Sequence, residues 1–551
     1  MTANHPAKNA GRRRSWRAAG GLGCVALLVL MSVTAWAGPA AELPASVRAA
    51  LVRSGVAESA LSVSVEAIDP DAARPGTRST SAPPPARTVL RWQATEPRNP
   101  ASLMKLVTTF AALELLGPDF TWTNRVETTG RVHDGVLDGN LVLRGSGDPK
   151  LVVERLEALL AEVRAAGIVQ VRGDIVLDGR IFEPVDPNPA RFDDEPLRPY
   201  NARPEGLLIN FKAVVYRFIP EPERGRARID AQPPLAGVEL PESVPLSTAP
   251  CGDWRARLRA DFTDPDRVRF EGAYPLACGV REWPVAYPAP ERYAPRVVEA
   301  LWRAGGGTLT GRVRWIAPGE APVTQPLLQA RSLPLASIVA DINKFSNNVM
   351  AQQLFLTLSA VEQGQGSFAA SRERLRRWWQ QRLGAVAEAP EIENGSGLSR
   401  HARLSAEALA AVLRAAVHSA VAEPFIDSLG VAGIDGTVAR LRERRPDSPL
   451  LGRAWLKTGS LRDVAAIAGY VRSASDRLYA VVAIVNAPEA PAARPALDAL
   501  LEWVAQDAPS PGRTQARALP QPEPATPDKP QATKSVTARN MPEENSNDRS
   551  F

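Results

Sequence analysis

Ser102 and Lys105 stand three residues apart in "NPASLMKLVTTF", at the head of an apolar run. If that run is helical, the two side chains share a face one turn apart, and the amine can take the proton of the hydroxyl it touches. The same residues would also suit an ordinary helix start, because serine is a favoured N-cap and lysine a common helical residue. One S-x-x-K is expected roughly by chance in a chain of this length. Composition sharpens the choice. Only eight of the 66 basic residues are lysine, and five lie in the body of the chain: Lys105, Lys150, Lys212, Lys344 and Lys457. Arginine keeps its proton in proteins whereas a desolvated lysine can release it, so a site that needs a basic amine excludes the commoner residue. Lys150, Lys212 and Lys344 read as isolated surface lysines. Lys457 differs, because it opens Lys457-Thr458-Gly459 in "AWLKTGSLRDVAAIAGYV". Between the two motifs lies Ser346-Asn347-Asn348, in "KFSNNVMAQQL". His133, His401 and His418 fall outside all three motifs, which argues against a Ser-His-Asp triad or a zinc site.

The elements that must position these residues are legible in outline. Leu106, Val107, Phe110, Ala111 and Leu113 recur at helical spacing until Gly117-Pro118, so a helix is expected to start near Ser102. Upstream, "LSVSVEAID" from Leu61 to Asp69 alternates like a strand, and "ARPGTRSTSAPPPART" reads as a loop. From Arg125 to about Gln325 the texture changes to short strands and turns, with one clear helix in the early part, Leu151 to Ala166. This block reads as inserted β-rich material. Helical patterns return from Leu335 to Leu383 and from Ser405 to His418. "YVRSASDRLYAVVAIVN" is expected to form a hairpin turning at Ser473 to Asp476, and "RPALDALLEWVAQ" a closing helix. The Pro-rich tail, 507–551, lacks periodicity and is expected to be disordered.

With 551 residues, 44% hydrophobic and 23% charged, the chain has the composition of two or three globular domains. Lys8, Arg12, Arg13, Arg14 and Arg17 lead into "GLGCVALLVLMSV" and then Ala35-Trp36-Ala37, the layout of a signal peptide over 1–37. Its apolar core is short for a membrane span, and Arg13-Arg14-Ser15-Trp16 carries a trace of a twin-arginine signal. Cleavage there removes those five basic residues and takes the formal charge from +6 to +1, so basicity gives no reason to expect nucleic acid. Cys24 leaves with the leader, and Cys251 and Cys278 remain as an even pair expected to be oxidised in an exported chain.

S-x-x-K, S-x-N and K-T-G in that order resemble the signature of penicillin-recognising serine enzymes. The stretch from Lys105 to Ser346 is too long for a β-lactamase, and the chain resembles the penicillin-binding D-alanyl-D-alanine carboxypeptidase/endopeptidase family of low molecular mass, class C, which carries a large insert there. "RGSGDP" (Arg144–Pro149), "YNARPEGLLINF" (Tyr200–Phe211), "NGSGLSRH" (Asn394–His401) and the cysteine pair extend the likeness over Leu43 to Ala505. The resemblance implies an α+β fold: a β-lactamase/transpeptidase-like domain from residues 38–124 and 326–506, its antiparallel sheet flanked by helices, with two inserted β-rich domains in 125–325. It implies that Ser102 attacks the penultimate D-alanine, with Lys105 as base once burial and the Lys457 cation lower its proton affinity. By the same resemblance Ser346 passes the proton to the leaving D-alanine and Asn348 holds the substrate backbone. Lys457, Thr458 and Gly459 receive the terminal carboxylate, and the N–H groups of Ser102 and Ser460 form the oxyanion hole. Asp178, Phe182 and Arg400 are then expected to meet the peptide side chain. The chain departs from the family pattern in placing Arg462 where a glutamine is expected and "ENGSG" where "DGSG" is expected.

The expectation is a periplasmic serine D-Ala-D-Ala carboxypeptidase/endopeptidase that cuts peptidoglycan peptides through an acyl-enzyme and is acylated by β-lactams as covalent inhibitors. It includes no cofactor, no metal, no nucleic-acid partner and at most weak association with membrane or cell wall; it leaves oligomeric state open. The alternatives are a serine β-lactamase, for which no deacylating glutamate loop is recognisable, and a non-catalytic cell-wall-binding scaffold. Intact Ser102, Lys105 and Lys457 in so lysine-poor a chain argue against the scaffold.

Overall fold

Leu61–Ile68 pairs with Leu478–Asn486, so both ends of the sequence build one sheet. The computed structural model describes residues 42–68, 85, 87–186 and 188–506; the signal peptide expected over 1–37, the tail expected over 507–551 and most of the expected loop over 73–88 lie outside the described residues. The six-stranded sheet runs Gly430–Val431, Ala454–Leu461, Val464–Arg472, Leu478–Asn486, Leu61–Ile68, Arg87–Trp92. Every neighbouring pair in it is antiparallel. Helices Ala45–Ser54 and Arg494–Ala505 share the apolar core of one face. Met104–Leu116, Asn348–Gln363, Phe368–Arg382 and Ala406–Val417 share that of the other.

This double cover buries both faces of the strand Leu61–Ile68. Leu61–Ile68 is a strand, as its alternation suggested, and its polar residues Ser62, Ser64 and Glu66 are buried along with Val63 and Val65. Two of them have arginine partners: Arg98 Nε donates to Ser62 Oγ at 2.8 Å, and Arg414 on the helix Ala406–Val417 pairs with Glu66. Burial pushes the Glu66 carboxyl up, against the pull of Arg414. Met104–Leu116 is buried from Met104 through Leu113, a helix enclosed on all sides. Burial of side chains such as Phe110 and Leu113 contributes about 2 kcal/mol each, which fixes the helix that follows Ser102.

Between Thr123 and Arg331 the strands form sheets of their own. One five-stranded sheet joins Val313–Trp315, Ile175–Asp178, Leu141–Arg144, Thr123–Thr128 and Gln325–Arg331. A second carries Tyr274–Pro275, Ser243–Ser247, Arg226–Gln232, Ala213–Glu221 and Arg281–Ala286. Both contribute to one continuous apolar cluster rather than to separate cores. Helix Pro290–Ala304 packs there and has no counterpart in the sequence reading, because Pro288, Pro290 and Pro295 break up its pattern. No described helix is long and apolar enough to cross a membrane.

Cys251 and Cys278 are joined in a disulfide with Cα atoms 4.7 Å apart. Cross-linking residues separated by 27 positions is expected to stabilise the fold by about 3 kcal/mol. Denaturant unfolding of Cys251→Ser/Cys278→Ser against the parent checks this. Two free thiols in non-reduced protein lacking the leader would contradict it.

Candidate active site

The turn that carries Ser102 is held open by its neighbours. Ala101–Leu103 is a short 3₁₀ turn leading into Met104–Leu116, and Ala101 sits at φ 46°, strained for a residue with a Cβ. Asn99 supports it from both sides. Its Oδ1 accepts from Ala101 N at 2.9 Å and its Nδ2 donates to the Ser399 carbonyl at 2.9 Å. Asn486, on the last strand, exchanges two hydrogen bonds with the Asn99 backbone at 2.8 and 3.0 Å. No side chain caps the 3₁₀ turn or the helix, which removes the capping reading of Ser102.

Lys105 is fully buried, and its Nζ lies 2.9 Å from Ser102 Oγ, 2.6 Å from Asn348 Oδ1 and 2.7 Å from the Ser396 carbonyl oxygen. A neutral amine has two N–H bonds and one lone pair. Directing the N–H bonds at the two carbonyl oxygens leaves the lone pair facing the Ser102 hydroxyl. When the proton moves across, the ammonium has three donors for the same three oxygens, so no heavy atom needs to shift. The Ser396 carbonyl is presented by a turn in which Asn394 Oδ1 accepts from Ser396 N and Oγ at 3.0 and 2.9 Å. Gly397 has to be glycine here, because a Cβ would stand 1.9 Å from the Ala101 carbonyl oxygen.

Ser346 occupies the left-handed link, φ 57°, between helices Leu335–Phe345 and Asn348–Gln363. Asn347 caps the second helix by accepting from Met350 N at 3.0 Å. Lys457, also fully buried, donates to Ser346 Oγ at 2.7 Å and to the Thr458 carbonyl at 2.9 Å. Thr458 Oγ1 lies 2.8 Å from Thr437 Oγ1. A Cβ on Gly459 would stand 2.7 Å from the Pro100 carbonyl oxygen, so glycine lets the strand Ala454–Leu461 close onto the Ser102 turn. Ser460 follows it on the same strand, exposed and paired in register with Ala465.

Arg400 lies at the rim. Its guanidinium stacks 4.4 Å from the Phe192 ring centroid and meets Asp463, beyond the K-T-G strand, at 3.3 Å. The inserted block also reaches the centre directly: the Tyr200 carbonyl accepts from Asn348 Nδ2 at 3.2 Å.

Asp178 and Phe182, expected to meet the peptide side chain, are both buried and engaged within the protein. Asp178 is 1% exposed, and its carboxylate accepts from Arg180 N and Nε at 3.0 Å and from Arg180 Nη2 at 2.8 Å, and pairs with Arg144. Arg144 is its register neighbour on the adjoining strand, so the carboxylate already has a cation beside it. Burial works against ionisation of Asp178, but the bonds from Arg180 and the charges of Arg144 and Arg180 outweigh it and hold the carboxyl below its usual range. Phe182, 4% exposed, packs on Leu356 and Ala360 of the helix Asn348–Gln363. The reading of three lysines as surface residues also fails. Lys150 pairs with Asp341 at 2.5 Å, Lys212 with Glu205 at 3.2 Å and Lys344 with Asp435 at 2.5 Å, all at least partly buried.

Asn99, Asn394, Ser396, Gly397, Tyr200 and Thr437 were not singled out from sequence as site residues. "NGSGLSRH" and "YNARPEGLLINF" were visible as motifs, but without a role.

Comparison with known proteins gives the chain its family and its fold. The chain is 26% identical over 392 residues to the D-alanyl-D-alanine carboxypeptidase DacB of Haemophilus influenzae, covering 70% of this chain and 80% of that one. It is 28% identical over 440 residues to a D-alanyl-D-alanine carboxypeptidase of an Actinomadura species, covering 75% and 79%. The crystal structure of penicillin binding protein 4 from Haemophilus influenzae superposes with a TM-score of 0.63 at 22% identity, over 80% of this chain and 96% of that one. The same protein complexed with a β-lactam gives a TM-score of 0.60 at 21% identity, over 81% and 96%. With its pattern matched over residues 85–507, the chain belongs to the D-Ala-D-Ala carboxypeptidase 3 (S13) family.

Proposed function

We propose that this carboxypeptidase is exported to the periplasm and removes the terminal D-alanine of peptidoglycan stem peptides through an ester on Ser102. The observation that carries the proposal is the Lys105 amine, placed between Ser102 Oγ and two carbonyl oxygens. Ser102 Oγ bonds to the penultimate D-alanine carbonyl carbon as its proton passes to Lys105 Nζ. The N–H groups of Ser102 and Ser460 take the oxyanion. Collapse breaks the amide, and the proton travels through Ser346, which Lys457 orients at 2.7 Å, to the departing D-alanine amine. Water then cleaves the ester by the reverse proton path. Lys457 and Thr458 receive the terminal carboxylate, and Gly459 gives the strand its close approach. The β-lactam complex of the Haemophilus protein supports the further reading that a lactam acylates Ser102 and stays bound.

Incubation with purified muropeptides and identification of products by mass spectrometry tests the reaction. Pentapeptides losing one alanine establish carboxypeptidase action, and conversion of cross-linked dimers to monomers establishes endopeptidase action. Unchanged muropeptides with folded protein would contradict both.

Asp178 belongs to the support of this site rather than to substrate. Asp178→Asn is expected to lower stability by about 2 kcal/mol, a value discounted for the partial exposure of both arginines. Because its carboxyl is held low, the contribution of Asp178 is fully present above about pH 4 and is lost as pH falls through the lowered value. Thermal unfolding and the rates on peptide and penicillin check this: both rates should change together. A loss confined to peptides with a free side-chain amine would return Asp178 to the substrate.

A further inference from the structure

We propose that Gln353 is a positioning residue for acylation. It staples the inserted block to the helix bearing Asn348, so that the Tyr200 carbonyl holds the Asn348 amide with its oxygen on Lys105. The inference rests on the assignment of Lys105 as base.

Gln353 is fully buried on the same helix as Asn348. Its Oε1 accepts from Glu205 N at 2.9 Å, and its Nε2 donates to the Glu205 carbonyl at 2.9 Å and to the Gly147 carbonyl at 3.3 Å. One amide thus binds "RGSGDP" and "YNARPEGLLINF", the two motifs to which the mechanism gives no task. The motifs are also tied to each other, because Gly147 N donates to the Gly206 carbonyl at 2.8 Å. Phe182 adds an apolar pad on the same helix, and its ring leaves no room for a side chain at Gly147.

The consequence is chemical as well as mechanical. An Asn amide has a donating end and an accepting end, and Lys105 requires the accepting end. The Tyr200 carbonyl can only accept, so it fixes the amide with Nδ2 towards the insert at 3.2 Å and Oδ1 towards Lys105 at 2.6 Å. If the segment carrying Tyr200 moves away, the amide loses one of the two hydrogen bonds that orient it, and each turn-over sets an N–H against Lys105 in place of the oxygen. The Lys105 lone pair then loses its orientation towards Ser102, a displacement too small to unfold the protein but large for proton transfer.

The test is rapid-mixing acylation by labelled penicillin, separating the pre-covalent dissociation constant, the acylation rate constant and the fraction of molecules that react. Gln353→Leu removes all three hydrogen bonds at nearly constant size. Gln353→Glu keeps the oxygen for Glu205 N but sets an oxygen against two carbonyls. Each is expected to lower the acylation rate constant at least about tenfold, with the dissociation constant within about twofold and a reacting fraction near unity. If Gln353→Leu does not fold, Gln353→Glu alone decides. An unchanged rate constant, or loss confined to the reacting fraction, would overturn the proposal and reduce Gln353 to a packing residue. Ser102→Ala measured alongside should stay unlabelled; labelling of that variant would bring down the nucleophile assignment instead.

Discussion

Ser102→Ala is expected to abolish release of D-alanine from stem peptides, a loss on the order of 10⁴-fold or more in kcat, while the protein stays folded. The size follows from removal of the atom that forms the ester. Ser102 Oγ is the hydroxyl that Lys105 Nζ meets at 2.9 Å, and the Asn348 amide oxygen and Ser396 carbonyl that Nζ also meets carry no proton to give up. The fold should not suffer, because the Ser102 hydroxyl caps neither the turn nor the helix. Its loss should change stability by about 0.5 kcal/mol or less. D-Alanine release and thermal unfolding, measured together, check both halves. Residual turnover near that of the parent would contradict the assignment.

Lys105→Arg is expected to lower acylation and peptide turnover by about 10²- to 10⁴-fold. Arginine preserves the positive charge, so this variant separates a base from an electrostatic anchor. A guanidinium has no lone pair to offer Ser102 and is larger than the ammonium in a pocket where Lys105 is fully buried. Overpacking of such a site costs about 1–3 kcal/mol, and unfolding curves should record that separately from the rate. Turnover within a fewfold of the parent would show that charge suffices and move the base elsewhere.

The reacting groups were legible in sequence because each sits in a short motif whose internal spacing survives folding. Ser102 and Lys105 meet on one turn, Ser346 and Asn348 flank a helix start, and Lys457 leads into an edge-to-turn approach that requires Gly459. Retained lysines in an arginine-rich chain pointed to Lys105 and Lys457. The same scarcity gave no warning for Lys150, Lys212 and Lys344, whose acidic partners are distant in sequence. The joining of the chain ends into one sheet came from family likeness rather than periodicity. Alternation in Leu61–Ile68 located the strand but not the burial of its polar face, because Arg98 and Arg414 reach Ser62 and Glu66 from elements that the strand pattern does not contain. Asp178 shows a different limit. Family likeness carries a residue to a position but does not carry its neighbours, and the pairing of this carboxylate with Arg144 and Arg180 came only from the structure. The reciprocal bonds of Asn99 with Asn486, and the grip of Gln353 on Gly147 and Glu205, join segments hundreds of residues apart or nearly so. Nothing local announces them.

Reaction of the protein with penicillin, followed by proteolysis and mass mapping of the covalent adduct, tests the central claim most directly. A single adduct on the hydroxyl of Ser102 is the result expected from a serine whose proton Lys105 takes. An adduct on any other residue, or a folded protein that remains unmodified, would contradict it.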